Sequence, residues 1–224
     1  MRRIRLELSY DGTSYSGWQV QPGQATIQGE LQRVLSRIEE APVTVHGSGR
    51  TDAGVHALAQ VAAFDLRNPI PAENLQRAMN RLLPKDIRVN DVREAPSGFH
   101  PRHHALAKTY RYRIYRDRVC PPFERFFVWH QHSPLDEAAM ERCARLFVGS
   151  HNFRAFAASD ERYTQEADMH RTIFSAGFCR EGAVLRFDVR GSGFLKPMVR
   201  NLVGALVEVS VGNLAEEDIA SMLA

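Results

Sequence analysis

The order in which the apolar pattern changes its period limits the possible folds of this chain more than any other feature. A strand places every second side chain on one face, whereas the apolar face of a helix recurs about every 3.6 residues. The first half of the chain shows strand, helix, strand, strand, helix and strand patterns in succession. The strand patterns cover residues 3–10, 43–46, 58–66 and 87–92, and the helical patterns, opened by Thr26 and Pro71, cover 26–40 and 71–83.

The second half repeats most of this order. The strand patterns cover residues 106–116, 172–178 and 184–189, and helical patterns cover 133–147 and 197–211, with a short one near Glu216. This half therefore reads β-α-β-β-α and lacks a last strand. Residues 154–170 have weak periodicity, so we expect a surface loop there.

Together the halves predict an α+β fold of two ferredoxin-like, RRM-like β-α-β-β-α-β units that share a mostly antiparallel sheet. Helices would cover one face of the sheet and a basic RNA-binding cleft would lie on the other. The predicted domains are residues 1–100, which include a glycine-rich loop, and residues 101–224, whose final strand is absent.

Composition excludes several classes of protein. The chain has 224 residues, 44% of them hydrophobic, and no apolar run approaches the roughly 20 residues that span a bilayer. The N-terminal residues lead into a strand pattern and not into a signal-peptide core. The three cysteines are odd in number and far apart, which fits neither a disulfide framework nor a zinc site. We expect a cytoplasmic protein that does not contact membranes.

Positive charge is concentrated in residues 99–118, where six Lys or Arg residues face one acid, Asp117. Cations interleaved with tyrosines are typical of nucleic-acid surfaces, although a solvated charged strand gives the same pattern. The candidate RNA contacts are Arg102, His103, Lys108 and Arg111. A His-x-x-His-His metal site at residues 100–104 is the rival interpretation, but it lacks a nearby carboxylate or cysteine at ligand spacing.

Residues 47–57 contain three glycines around a single acid, Asp52. Glycines let the backbone turn tightly and approach a ligand closely. If the stretch is extended, Arg50 and Asp52 project to the same side, and a neighbouring cation keeps a carboxylate ionised. The alternative is an ordinary turn in which Asp52 caps its own backbone.

Two further residues stand out in the second half. Arg200 is the one cation in the apolar helical pattern 197–211, and a buried guanidinium must meet an acid or RNA, with Asp52 the natural partner. The alternative is an arginine that reaches the surface. Tyr110 shares a strand face with Tyr112 and Ile114, which is more often a core position than a stacking platform.

Four motifs in order resemble the bacterial tRNA pseudouridine synthase A family. Residues 49–56 (GRTDAGVH) are similar to its signature, and the resemblance extends over nearly the whole chain. The other matching stretches are Tyr10-Asp11-Gly12 with Gly17-Trp18-Gln19, Phe99-His100-Pro101-Arg102 with Lys108-Thr109-Tyr110-Arg111-Tyr112, and residues 198–204 (MVRNLVG).

The resemblance implies an isomerase that converts uridine to pseudouridine at positions 38, 39 and 40 of the tRNA anticodon arm. It makes Asp52 the catalytic aspartate and Arg200 the arginine that pairs with it. It also implies that Arg50 assists entry of the flipped uridine and that Tyr110 stacks on the target base. Family members work as homodimers without a cofactor, and they continue into a final strand that this sequence does not contain.

Alternatives from other classes stay open. A non-catalytic RNA-binding protein with paired RRM-like halves would explain the basic stripe and the fold, but not the Arg50/Asp52 loop. A metal-dependent nuclease usually needs several clustered carboxylates, and the loop offers one. The residues alone leave open whether Asp52 attacks C1′, adds to C6, or removes a proton from the ribose.

Overall fold

The computed structural model describes residues 1–158 and 168–224, which form two compact units, Met1–Ala105 and Leu106–Ala224. The expected surface loop at 154–170 lies partly outside the described residues. Of its described part, Arg154–Phe156 is a short 3-10 helix. Within the described ranges, no helix has both the length and the apolar character that crossing a membrane requires.

The first unit has the predicted order β-α-β-β-α-β. Its elements are β1 (Arg2–Tyr10), α1 (Ile27–Glu39), β2 (His46–Gly47), β3 (Ala57–Leu66), α2 (Ala72–Leu82) and β4 (Ile87–Ala95). The sheet order is β2-β3-β1-β4, and every neighbouring pair is antiparallel. Because β3 lies between β1 and β2, this is the split βαβ arrangement of ferredoxin-like folds.

Alternation in β1 separates an apolar face from a charged one. Leu6 and Leu8 are fully buried, whereas Arg5 and Glu7 on the other face are half-buried. Helix α1 starts at Thr26, whose hydroxyl accepts the N–H of Gly29 at 3.2 Å. The core of this unit lies between the apolar sheet face and the two helices. Its fully buried members include Ile4, Leu31, Val34, Leu35, Phe64, Leu75 and Met79.

The second unit contains more elements than its sequence pattern predicts. They are β5 (Lys108–Tyr115), β6 (Trp129–His130), α3 (Glu137–Leu146), β7 (Gly149–Asn152), β8 (His170–Glu181), β9 (Val184–Gly191), α4 (Met198–Ser210) and α5 (Glu216–Met222). The sheet order is β6-β5-β9-β8-β7, with β6 parallel to β5 and the other pairs antiparallel. Strands β6 and β7 are too short for alternation to reveal them. Helix α3 starts later than predicted because Asp136 caps it, accepting the N–H of Ala139 at 2.9 Å.

The α+β class is confirmed, but the strands form two sheets, one in each unit, where a single shared sheet was expected. Each strand forms its backbone hydrogen bonds with strands of its own unit. In the first unit β4 lies along the outer edge of β1, whereas β6 pairs with the corresponding edge of β5 at Ile114 and Tyr115.

Candidate active site

The loop between β2 and β3 carries Arg50 and Asp52, and its first residues are anchored to the sheet. The N–H of Ser48 donates to the carbonyl of Val61 at 2.8 Å. The buried amide side chain of Gln60 accepts the Ser48 hydroxyl at 2.6 Å and donates to the carbonyl of Gly49 at 2.8 Å. Because buried polar groups are costly to leave unpaired, these bonds fix where the loop leaves the sheet.

The residue before Asp52 is fixed through both its side chain and its backbone. The hydroxyl of Tyr10 is 2.9 Å from the hydroxyl of Thr51. The backbone N–H of Trp18 donates to the Thr51 carbonyl at 3.0 Å, and the Trp18 side chain is itself buried. The loop position occupied by Asp52 is therefore set by the last residue of β1 and by Trp18 after it, both more than thirty positions earlier in the chain.

Two glycines in that earlier segment allow its backbone to touch the loop. A Cβ at Gly17 would lie 2.5 Å from the Thr51 carbonyl oxygen, and Gly17 has a positive φ of 87°. A Cβ at Gly12 would lie 2.1 Å from the Val55 carbonyl oxygen. No side chain fits at either distance, so the close approach requires glycine at both positions.

The loop turns at Asp52, as the turn interpretation predicted for its backbone. The N–H of Val55 donates to the Asp52 carbonyl at 3.2 Å, and Gly54, which has a positive φ of 75°, donates to the Tyr15 carbonyl at 3.2 Å. The Asp52 side chain is half-buried and Arg50 is exposed. A carboxylate in this setting is held by a rigid backbone and still has access to solvent.

His56, at the end of the loop, contacts the residues that follow β1. Its Nδ1 accepts the N–H of Gly12 at 3.1 Å and lies 3.0 Å from a carboxylate oxygen of Asp11. Burial raises the pKa of Asp11, but hydrogen bonds from the hydroxyl and N–H of Thr13, with the nearby His56, bring it below its usual value. Asp11 is consequently ionised at neutral pH and holds this end of the loop.

In the second unit, Tyr110 lies in β5 as predicted and is half-buried. Its ring contacts Phe194 edge-on at a centroid distance of 4.9 Å, and Tyr112 on the same face contacts Trp129 at 6.2 Å. Both tyrosines pack against the core of the unit. The core interpretation of these rings is thus correct for one side of each ring.

Arg200 lies in the first turn of α4 and is exposed, so the expectation of a guanidinium buried in an apolar helix is wrong. The apolar residues of α4 face the core, whereas Arg200 is on another side of the helix. The charge of Arg200 affects a residue of β5. Burial raises the pKa of Tyr112, and the positive charge of Arg200 partly offsets that increase. Within this unit, Arg200 is therefore close to a tyrosine of β5.

Much of the basic stripe is neutralised by acids distant in sequence. Arg111 makes a bidentate ion pair with Asp188, its direct cross-strand neighbour, at 2.8 and 3.0 Å. Arg113 pairs with Glu124 at 3.2 Å and Arg116 with Glu137 at 3.3 Å. Of the other candidates, Arg102 and His103 are exposed in the turn before β5, and Lys108 is half-buried at its first residue. These pairs could not be identified from the sequence pattern, because each acid belongs to a different segment of the chain from its arginine.

The charged face of the first sheet also differs from an RRM surface. Arg5 lies 3.4 Å from Glu7 and 3.3 Å from Asp91, and Arg93 pairs with Asp91 at 2.8 Å. RRM sheets bind bases through aromatic side chains on this face. The outward positions of β1 carry Arg3, Arg5, Glu7 and Ser9 instead. For the residues that the structure describes, no group of three His, Cys, Asp or Glu side chains is placed to hold a metal ion.

Known proteins are similar to this chain over most of its length. A family model described as tRNA pseudouridine synthase matches residues 8–103 and 143–224. A tRNA pseudouridine synthase A from Solibacter usitatus is 58% identical over 216 residues, which cover 96% of this chain and 90% of the relative.

More distant relatives match the whole chain. The tRNA pseudouridine synthase A of Citrifermentans bemidjiense is 45% identical over 223 residues, or 88% of its own length. That of Halalkalibacterium halodurans is 41% identical over 225 aligned residues, or 84% of its length. The family match includes helix α4, the Asp52 loop and the four residues that contact the loop and that we call the clamp, Tyr10, Gly12, Gly17 and Trp18. The chain belongs to the tRNA pseudouridine synthase family.

Proposed function

We propose that the protein is an isomerase that converts uridine to pseudouridine in tRNA, with the carboxylate of Asp52 as the catalytic group. The observation that carries the proposal is the presentation of Asp52 within the family signature. Its loop is anchored at Ser48, Thr51 and Gly54 by hydrogen bonds, while the carboxylate is half-buried. A structural turn does not need an acid held this way, whereas a catalytic group must be pre-positioned.

The reaction breaks the bond between N1 of uracil and C1′ of ribose and forms a bond between C5 and C1′. The proton on C5 leaves and N1 gains one, so there is no net oxidation or reduction. This balance requires no redox cofactor, and we propose that the protein uses none. The chemistry needs a group that acts at the sugar or at the ring, and an ionised carboxylate is suited to each of these roles.

The substrate proposed is the tRNA anticodon arm at uridines 38, 39 and 40. Bases there are stacked, so the target must be extruded at a cost of a few kcal/mol. We assign Arg50, exposed two residues before Asp52, to the space that the base vacates, and Tyr110 to a stacking contact with the extruded uracil. Arg200 would pair with Asp52 and keep it ionised.

Phosphate contacts offset the cost of base extrusion. The candidates are the exposed Arg102 and His103, together with Lys108 at the start of β5. Arg111 contributes less in this proposal, because Asp188 already balances its charge. We further propose a cytoplasmic protein that acts as a homodimer.

Site mapping tests the substrate proposal. Anticodon-arm transcripts that each keep a uridine at only one of positions 38, 39 and 40 are incubated with the protein, and pseudouridine is located by carbodiimide-dependent stops of reverse transcription. We expect stops at the retained uridine, and none in a transcript whose only uridines lie outside the anticodon arm. Binding of all transcripts without any conversion would contradict the proposal and favour a non-catalytic RNA-binding protein.

A further inference from the structure

Four histidines from two separate parts of the first unit form a cluster. His46 is the first residue of β2, and His100, His103 and His104 lie in the turn region that follows β4. The ring centroids of His46 and His100 are 5.5 Å apart, and those of His100 and His103 are 4.3 Å apart. His104 packs on Phe99 at 5.8 Å. We refer to these four residues as the histidine cluster.

Backbone hydrogen bonds fix the tautomers of two members of the histidine cluster. Nδ1 of His100 accepts the N–H of Arg102 at 3.2 Å and that of His103 at 3.4 Å. Nδ1 of His104 accepts the N–H of His100 at 3.3 Å. A neutral imidazole whose Nδ1 accepts a hydrogen bond carries its proton on Nε2. Both rings therefore offer an N–H donor even when they are uncharged.

The members of the histidine cluster and Arg3 act on one another electrostatically. Burial lowers the pKa of His100, and the charges of His103, His46, Arg3 and His104 lower it further. Arg3, on β1, is balanced by Asp65 at 3.2 Å, and it also donates to the Phe99 carbonyl at 2.9 Å. Among the ion pairs found in the described part of the chain, none includes a member of the histidine cluster. Several ring N–H donors that form no ion pair with an acid are suited to an anion.

The histidine cluster is close in sequence to the loop that carries Asp52. His46 is six residues before Asp52 in the same unit. An extended chain of that length spans at most ~20 Å, which is the length of a few nucleotides. His46 and Asp52 are therefore close enough for one RNA segment of a few nucleotides to contact both.

We infer that the histidine cluster binds a phosphodiester group of the RNA, next to the nucleotide that is modified. This inference rests on the proposed function, because it requires that RNA occupies the Asp52 loop. It adds His46 and His104 to the exposed Arg102 and His103 as RNA-contacting residues, and it assigns the four rings a common ligand, a single negatively charged phosphate.

The inferred site makes RNA binding depend on pH. A phosphate stabilises the imidazolium form, so the complex holds more protons than the free protein. Binding then strengthens as the pH falls and weakens as it rises, by a factor of at most about ten per pH unit for each proton taken up. The other charged groups beside the histidine cluster are Arg3, Asp65 and Arg102.

The test measures binding without turnover. An Asp52→Asn protein is titrated with an unmodified tRNA transcript at constant ionic strength from pH 6 to pH 8. In the same background, the exposed His46 and His103 are both changed to Gln, which keeps a hydrogen-bond donor but cannot become charged. His132→Gln, an exposed histidine in the second unit, is the matched control. Thermal unfolding of each variant shows that the fold is retained.

The inference predicts that the double variant binds about 3- to 10-fold more weakly at pH 6 and shows a flatter pH profile. The slope of log affinity against log salt should fall by about one, which is the value for one lost phosphate contact. The control should match the parent. A double variant that keeps the affinity, pH profile and salt slope of a parent that binds tRNA would overturn this inference alone. A parent that fails to bind tRNA would overturn both this inference and the proposed function.

Discussion

The position of Asp52 is determined by contacts between the preceding residue, Thr51, and residues that are distant in sequence. The Thr51 hydroxyl contacts the Tyr10 hydroxyl, and the Thr51 carbonyl accepts a hydrogen bond from the N–H of Trp18. The backbone of Gly17 lies close to the same carbonyl. A carboxylate displaced by 1 Å can lose about 100-fold in rate. Residues that fix Thr51 are therefore expected to affect turnover although they do not touch the substrate.

Gly17→Ala is predicted to damage the loop. The new Cβ would meet the Thr51 carbonyl at 2.5 Å, and the positive φ of 87° adds strain of about 1–2 kcal/mol. We expect a clear loss of stability to urea and a larger loss of kcat. Gly23→Ala is the matched control, because Gly23 also has a positive φ, of 70°, but has open space around it. Equal effects of the two substitutions on kcat would contradict the claim that Gly17 helps to position the Asp52 loop.

Tyr10→Phe removes only the hydroxyl that lies 2.9 Å from the Thr51 hydroxyl. The loss of a part-buried hydrogen bond should cost about 1 kcal/mol in the free energy of unfolding. Because the loop is then held less tightly, we expect kcat to fall several-fold with KM nearly unchanged. Steady-state kinetics on tRNA measure this split. Thr51→Ser, which keeps the hydroxyl, should behave like the parent, and a change confined to KM would count against a positioning role.

At this scale the sequence predicted the chemistry better than the geometry. The glycines around Asp52 and the single acid marked the loop, and the turn at Asp52 was foreseen as an alternative. The exposure of Arg200 was likewise foreseen only as the alternative, because an apolar helical stretch does not reveal which side of the helix its one cation occupies. The clamp was missed, since Tyr10, Gly17 and Trp18 contact the loop only after the chain has folded back.

Among the elements, strand β5 changes the interpretation of the basic stripe. Its arginines alternate with tyrosines, a pattern from which we predicted a nucleic-acid surface. Pairing with β9 instead brings Asp188 opposite Arg111, and Glu124 reaches Arg113. Strand register cannot be read from β5 alone, so this neutralisation was beyond sequence reasoning.

The pairing predicts that the candidate RNA contacts are unequal. Arg102→Gln should weaken binding of tRNA to the Asp52→Asn protein several-fold and reduce the salt slope by about one, because Arg102 is exposed in its turn. Arg111→Gln should change affinity less than twofold, since its charge is already balanced by Asp188. Salt-dependent binding curves for both variants measure this. The reverse ranking would show that Arg111 exchanges Asp188 for phosphate.

For the whole molecule, periodicity predicted the class and most of the element order. The first unit matches its predicted order from β1 to β4, because its longer helices and strands have a regular apolar face. The second strand is His46–Gly47, whereas residues 43–46 were predicted. Strands β6 and β7 were missed, as two to four residues carry no period. The division of the strands into two sheets was missed as well, since strand patterns do not identify pairing partners.

The central claim is that the carboxylate of Asp52 starts the isomerisation. Transfer of the ribose bond from N1 to C5 expels the C5 hydrogen, so tRNA carrying tritium at C5 of uracil reports each turnover as tritium released to water. We predict release by the parent protein and by Asp117→Asn, which alters an exposed acid in the second unit. Asp52→Ala should bind the same tRNA and release no tritium above background. Tritium release by Asp52→Ala at the rate of the parent would contradict the account.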